Sequence, residues 1–166
     1  MQIKLPGPRI RKTGLAVLIS MLFSHFRPGE GLAFYSAIAA IICMQQNVHQ
    51  TFHKGLGRII GTIFGGMIGL VYLLAFPQGS LPDLIRYVII SLLVTIIIWI
   101  MASINKKDAV SIAGIVFLSV AINHAGDILP IDFALNRIID TLIGVVVAFF
   151  VNYIDFKLRK SLKPNK

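Results

Sequence analysis

The chain has 166 residues, of which 56% are hydrophobic and 14% are charged, and its mean hydropathy is +0.81. A soluble domain of this length buries about 70% of its unfolded surface, so a chain this apolar would expose a large aggregating patch in water, which excludes an ordinary soluble protein. The net charge of +9 would suggest nucleic acid as a partner, but the basic residues lie between apolar runs and therefore indicate contact with anionic lipid head groups.

Six apolar runs follow one another and predict an all-α polytopic membrane protein with about six short transmembrane helices. The runs cover residues 13–26, 31–48, 59–76, 87–104, 109–125 and 138–154. Segments rich in Pro and Gly separate several of them, at residues 28–31, 77–82 and 126–130. The first run follows basic residues as a signal peptide does, but more apolar runs come after it, so we interpret it as a membrane helix.

Several runs are shorter than the roughly 20 residues that cross a bilayer without tilt. Some of the helices are therefore expected to be short or paired as half-helices. The first two runs are compatible with two full crossings or with one re-entrant hairpin.

The basic residues predict the orientation of the chain in a cell membrane. With the N-terminus in the cytoplasm, thirteen of the sixteen Lys and Arg residues lie inside and only Arg27, Arg86 and Arg137 lie outside. Both termini are then cytoplasmic, and residues 156–166 form a basic cytoplasmic tail.

Two ten-residue segments, residues 56–65 and 135–144, are identical at six positions and lie 79 residues apart. With three helices in each half, the halves enter the membrane from opposite faces, which predicts a 3+3 inverted repeat within a single transmembrane domain, residues 1–166. Repeat one covers about residues 9–77 and repeat two about residues 84–155. Such repeats often place a substrate pathway between the halves, although duplication retained for packing alone is the alternative.

Glycine recurs at every fourth residue of the third run. Gly57, Gly61, Gly65 and Gly69 leave one stripe of the predicted helix without side chains, so another helix backbone can approach it closely. We interpret this stripe as a packing seam rather than a ligand loop.

Arg58 and Arg137 stand at corresponding positions of the two matching segments, each at the predicted start of a helix. A helix N-terminus attracts anions, and an Arg guanidinium adds a fork that matches a carboxylate. The alternative is that each Arg anchors its helix among head groups. Asp140 lies three residues after Arg137, so it is a candidate for proton coupling or simply a partner that neutralises Arg137.

Other polar residues give weaker signals. Gln45 to Asn47 end the second run, while Asn123, His124 and Asp127 end the fifth; either group could line an aqueous vestibule or cap a helix end. His49 and His53 have the spacing of zinc ligands but lack the Glu of a zinc protease site, so no metal or other cofactor is expected. No pattern typical of an enzyme is present.

With these residues in view, the chain resembles the membrane half of the aromatic acid exporter family, which includes the fusaric acid resistance-like proteins. The resemblance rests on residues 37–45, on residues 58–62 with Gly65 and Gly66, and on residues 137–144 with Asn152. It implies export of aromatic or other organic anions by a dimer or higher homo-oligomer. Carried over position by position, the resemblance points to Arg58, Gly61, Thr62, Arg137 and Asp140. Of these, Arg58, Thr62, Arg137 and Asp140 are expected to bind the substrate.

Larger members of that family continue into a cytoplasmic domain after the sixth helix. Three hypotheses follow for this chain, and all of them include membrane lipids as partners. It is an exporter in which both arginines bind the substrate carboxylate, a passive anion channel, or a scaffold that binds lipid or a partner protein and moves no solute.

Overall fold

The computed structural model describes residues 7–28, 32–77, 80–123 and 130–162, and all regular structure in them is α-helical. The all-α prediction and the number of helices are confirmed. The six helices are α1 (Pro8–Phe26), α2 (Ala33–Cys43), α3 (Val48–Ala75), α4 (Asp83–Ser103), α5 (Lys107–Asn123) and α6 (Pro130–Leu162).

The bounds of the helices differ from those of the apolar runs, and the largest differences are at the starts of α3 and α6. The second run ends as a helix at Cys43, while Val48 already belongs to α3, which therefore starts eleven residues before the predicted position. Helix α6 extends the sixth run at both ends, from Pro130 to Leu162. Hydropathy detects only the apolar part of a helix, whereas the backbone hydrogen bonds continue through polar residues. The apolar runs therefore underestimate the lengths of α3 and α6.

Three of these helices are long and apolar enough to cross a membrane: α3, α4 and α6. Helix α2 has 11 residues and is about 16 Å long, roughly half of the 30 Å hydrocarbon thickness. Its length therefore fits a half-helix rather than a full crossing.

Asn105 makes the tight turn between α4 and α5. Its φ angle is 56°, in the left-handed region that Gly or Asn occupies after many helices. The Asn105 N–H donates to Ala102 O and the Lys106 N–H to Met101 O, the pair of bonds that closes a helix C-terminus.

The first of two compact units contains residues 1–56 and 139–166. Within it, α1 packs against α2, and the Ser36 hydroxyl donates to Ser20 O. Gly144 of α6 lies against the backbone of α2: a Cβ at residue 144 would collide with Ser36 O and lie 2.6 Å from Ala39 Cβ. Small residues thus bring three helix backbones close together, as is common in membrane proteins.

The second unit contains residues 57–138, and in it α4 packs against α5. The glycine stripe of α3 faces α5 along its length. A Cβ at Gly61 would lie 2.8 Å from Ala109 O, one at Gly65 would collide with Ala113 O, and one at Gly69 would lie 2.8 Å from Val120 Cβ. Each of these positions is closed to any larger residue unless the helices move apart.

Candidate functional site

Asp140 is the centre of a buried polar cluster in the first unit. Its carboxylate, which is 0% exposed, accepts hydrogen bonds from the Ser24 hydroxyl at 2.6 Å and from the Leu32 N–H at 2.8 Å. Arg27 lies against both oxygens, with Nε 3.2 Å from Oδ1 and Nη2 3.2 Å from Oδ2. This fork-like contact neutralises the carboxylate, and the Leu32 bond caps the N-terminus of α2.

The structure pairs Asp140 with an arginine from a distant part of the sequence. Spacing in the sequence makes Arg137, three residues before Asp140, the nearest candidate for its ion-pair partner. In the structure, Arg137 Nη1 donates instead to the Ser119 hydroxyl of α5, at 3.3 Å. The charge pattern of the sequence predicts only that Arg27 lies on the outer side, with Arg86 and Arg137.

The expected position of the two candidate arginines at helix N-termini is wrong. Arg58 lies ten residues after Val48, the first residue of α3, and Arg137 lies seven residues after Pro130, the first residue of α6. Both are therefore two turns or more inside their helices, where backbone N–H groups are already bonded. Any anion that these arginines bind would be bound by the guanidinium groups rather than by a helix terminus.

Burial distinguishes these arginines from head-group anchors. Arg58 is 5% exposed and Arg137 is 4% exposed, and arginine keeps its charge in proteins. Thr62, one turn after Arg58, is 1% exposed, and its hydroxyl oxygen has no hydrogen-bond partner among the described residues. Arg58, Thr62 and Arg137 belong to the second unit, while Asp140 belongs to the first.

A second polar cluster lies in the first unit, around Asn152 of α6. The Asn152 amide donates to the Thr51 hydroxyl at 2.7 Å and to Gln45 O at 3.2 Å, and its oxygen accepts from Lys12 Nζ. Lys12 also lies 3.6 Å from Asp155. The cluster bonds the backbone N–H and C=O of Gln45, which lies in the break between α2 and α3.

Other sequence candidates have local roles. The Gln45 amide donates to Ile42 O, at the end of α2. His49 and His53 lie on the exposed start of α3 with their Nε2 atoms 3.1 Å apart, and the described residues contain no group of three or more possible metal ligands. His124 and Asp127 lie outside the described residues, as does the side chain of Asn123.

Sequence reasoning missed four members of the two buried clusters: Lys12, Ser24, Arg27 and Thr51. Ser24 and Thr51 are common residues with no motif around them. The sequence gives one indication for Lys12 and Arg27: each lies at the edge of an apolar run, where a buried Lys or Arg needs an acidic or polar partner.

Comparison with known proteins matches residues 15–151 to a family described as fusaric acid resistance protein-like. UPF0421 protein YgaE of Bacillus subtilis is 28% identical over 148 residues, which are 89% of this chain and 39% of that protein. UPF0421 protein SH1063 of Staphylococcus haemolyticus is 28% identical over 152 residues, which are 91% of this chain and 43% of that protein. The chain thus spans about two fifths of the length of these relatives. No solved structure matches it.

Proposed function

Because the chain belongs to the fusaric acid resistance protein-like family, we propose that it is a membrane transporter that exports aromatic or other organic anions. The family resemblance seen in the sequence motifs is confirmed by this match. The family consists of membrane transporters rather than enzymes, and three helices of the chain are long and apolar enough to cross a membrane.

The observation that carries the proposal is the burial of Arg58, Thr62 and Arg137 within one unit. A charged residue inside a membrane helix costs about 2.5–3.5 kcal/mol on insertion scales, and such residues commonly mark substrate pathways. Two permanent cations and a hydroxyl with no hydrogen-bond partner among the described residues are the kinds of donor that suit a carboxylate. In this proposal the two arginines bind the substrate carboxylate and Thr62 donates to it.

An inverted repeat is part of the same proposal. The contact of Gly65 with Ala113 joins α3 to α5, and the contact of Gly144 with Ser36 joins α6 to α2. Residues 65 and 144 are 79 positions apart, and residues 36 and 113 are 77 positions apart. The third helix of each repeat therefore packs on the second helix of the other in the same way, which supports two structurally equivalent halves that alternate access to one substrate site.

We place the protein in the cell membrane as a multi-pass homo-oligomer with both termini in the cytoplasm. The imbalance of thirteen basic residues against three supports this orientation. Reaction of introduced cysteines with a membrane-impermeant thiol reagent in intact cells would test it, since a residue near either terminus should stay unlabelled.

Flux through proteoliposomes tests the transport function. Purified protein should move benzoate or a hydroxybenzoate, and Arg58→Gln and Arg137→Gln should each lower the initial rate at least tenfold. Arg58→Lys should retain more activity than Arg58→Gln because it keeps the charge. Arg159→Gln is the matched control, since Arg159 is half exposed on α6 and pairs locally with Asp155.

Three results would contradict the proposal. Undiminished flux in both Gln variants would remove the arginines from the substrate site. Single-channel currents with a throughput far above that of a transporter would indicate a passive anion channel. A complete absence of flux with every organic anion tested would favour a scaffold.

A further inference from the structure

An apolar groove of about 420 Å³ runs between α1 and α6 in the first unit. Its volume lies within the range of small-molecule sites. Only apolar side chains line it, among them Ile19, Phe23, Ile143, Val146, Phe150 and Ile154. Phe23 is 62% exposed and Phe150 is 56% exposed, so the groove opens at the surface of the protein.

The two polar clusters hold the walls of this groove together. Ser24 of α1 bonds Asp140 of α6, and Lys12 of α1 bonds Asn152 of α6, so the helices run antiparallel. Twelve residues separate the contacts on each helix, which corresponds to about 18 Å. The groove lies between two fixed points and is therefore already formed without an occupant.

The length of the groove fits one leaflet of a bilayer. On α6 it extends from Ile143 to Ile154, about 16 Å along the helix axis. This is roughly half of the 30 Å hydrocarbon thickness. A single acyl chain that runs along the bilayer normal would cover the apolar side chains from one end to the other.

Positive charge collects at one end of the groove. Lys157 is exposed and lies three residues after Ile154, so it continues the same face of α6. The bonds of Lys12 to Asn152 and Asp155 bring the basic start of α1 to this end. Six basic residues lie there, with Asp155 as the acidic residue among them: Arg9, Arg11, Lys12, Lys157, Arg159 and Lys160.

We propose that this groove is a binding site for one anionic phospholipid, with an acyl chain between α1 and α6 and the head-group phosphate at Lys157. The apolar lining and the single-leaflet length select an acyl chain, and the charge at one end selects an anionic head group. The lining residues of the groove belong to the first unit, whereas Arg58, Thr62 and Arg137 belong to the second.

Native mass spectrometry of the purified protein with defined lipids tests this proposal. Phosphatidylglycerol should be retained in preference to phosphatidylcholine of the same acyl chains. Lys157→Gln should reduce that preference about fivefold, since one basic residue near an anionic surface contributes about 1 kcal/mol. Val146→Trp, at a half-exposed position, should fill the groove and reduce retention of both lipids.

Lys106→Gln is the matched control, because Lys106 is also exposed but belongs to the second unit, which does not contain the groove. It should leave the lipid preference unchanged. Soluble glycerol phosphate, which has no acyl chain, should not displace the bound lipid.

Three outcomes would overturn the proposal: equal retention of both lipids by the unmodified protein, full retention by Val146→Trp, or displacement by glycerol phosphate. A fourth would be a dimer that Val146→Trp dissociates with no change in lipid retention, since this would identify a second copy of the chain as the occupant. Benzoate flux measured on the same variants separates this site from the transport function, because the two can fail independently.

Discussion

Asp140 and Arg27 form a buried ion pair across 113 positions of sequence, with Arg27 Nε 3.2 Å from Asp140 Oδ1. The arginine follows the end of α1, and the carboxylate lies within α6. The same carboxylate accepts the Leu32 N–H before α2. One side chain thus connects three helices of the first unit, and the pair contributes to the fold whether or not it contributes to transport.

Removal of the Asp140 charge should destabilise the protein strongly. Asp140→Asn removes a buried negative charge that lies 3.2 Å from the Arg27 guanidinium and places an amide donor against the Ser24 or Leu32 donor, so we expect the free energy of unfolding to fall by about 3–5 kcal/mol. Thermal unfolding in detergent measures it. Asp132→Asn is the control, because Asp132 is exposed in the first turn of α6 and its charge contributes less than about 1 kcal/mol there. Equal melting temperatures for both variants would contradict the assigned role of Asp140.

Replacement by Val should affect the stability of the protein differently at Thr62 and at Thr51. The Thr62 hydroxyl has no hydrogen-bond partner among the described residues, so Thr62→Val should leave the melting temperature unchanged or raise it. The Thr51 hydroxyl bonds Gln45 N and the Asn152 amide, so Thr51→Val should cost about 1–3 kcal/mol. Benzoate flux adds a second measurement, since Thr62→Val should lower it. A destabilised Thr62→Val variant would show that its hydroxyl has a structural role.

Adjacent glycines of α3 should differ sharply in their tolerance of alanine. A Cβ at Gly65 collides with Ala113 O, whereas one at Gly66 meets nothing closer than Val116 Cγ1 at 3.9 Å. Gly65→Ala should therefore destabilise the protein by about 1–3 kcal/mol through overpacking. Gly66→Ala should be neutral or stabilising, since Ala favours the helix by up to about 1 kcal/mol. Thermal unfolding compares them, and equal effects would contradict the close packing of α3 on α5.

Lys12 and Asn152 should be energetically coupled. Asn152→Leu removes the acceptor of Lys12 and the donor to Gln45 O, while Lys12→Met removes the charge. The double variant should lose less free energy of unfolding than the two single variants lose in sum. The difference, which is the coupling energy, should be about 0.5–3 kcal/mol. A double-mutant cycle on unfolding measures it. Strictly additive losses would mean that the two side chains do not interact.

The sequence predicts the helices well where apolar residues determine them and poorly where polar contacts do. Six runs indicate six helices because each is apolar over most of its length and is bounded by polar or helix-breaking residues. The break at residues 44–47 carries no Gly or Pro. It exists because Thr51 and Asn152 bond the backbone of Gln45, and Asn152 is 107 residues away. No local pattern could have revealed that contact.

The candidate site shows the same limit. Arg58 and Arg137 are visible in the sequence because they repeat within apolar segments, and their burial follows from that position. Arg27 and Asp140 are each visible, but their pairing depends on how α6 packs. Spacing along one helix favours Arg137 as the partner of Asp140, because a sequence shows how many residues separate two positions but not how far apart they lie in space.

The order of residues along the chain determines when the contacts of the first unit can form during synthesis. Arg27 leaves the ribosome 113 residues before Asp140, an interval of roughly 6–23 s at 5–20 residues per second. During that time the N-terminal hairpin lacks the Asp140 carboxylate, which contacts Ser24, the Leu32 N–H and Arg27 in the finished fold. The hairpin of α1 and α2 can therefore reach its final packing only after α6 has been translated.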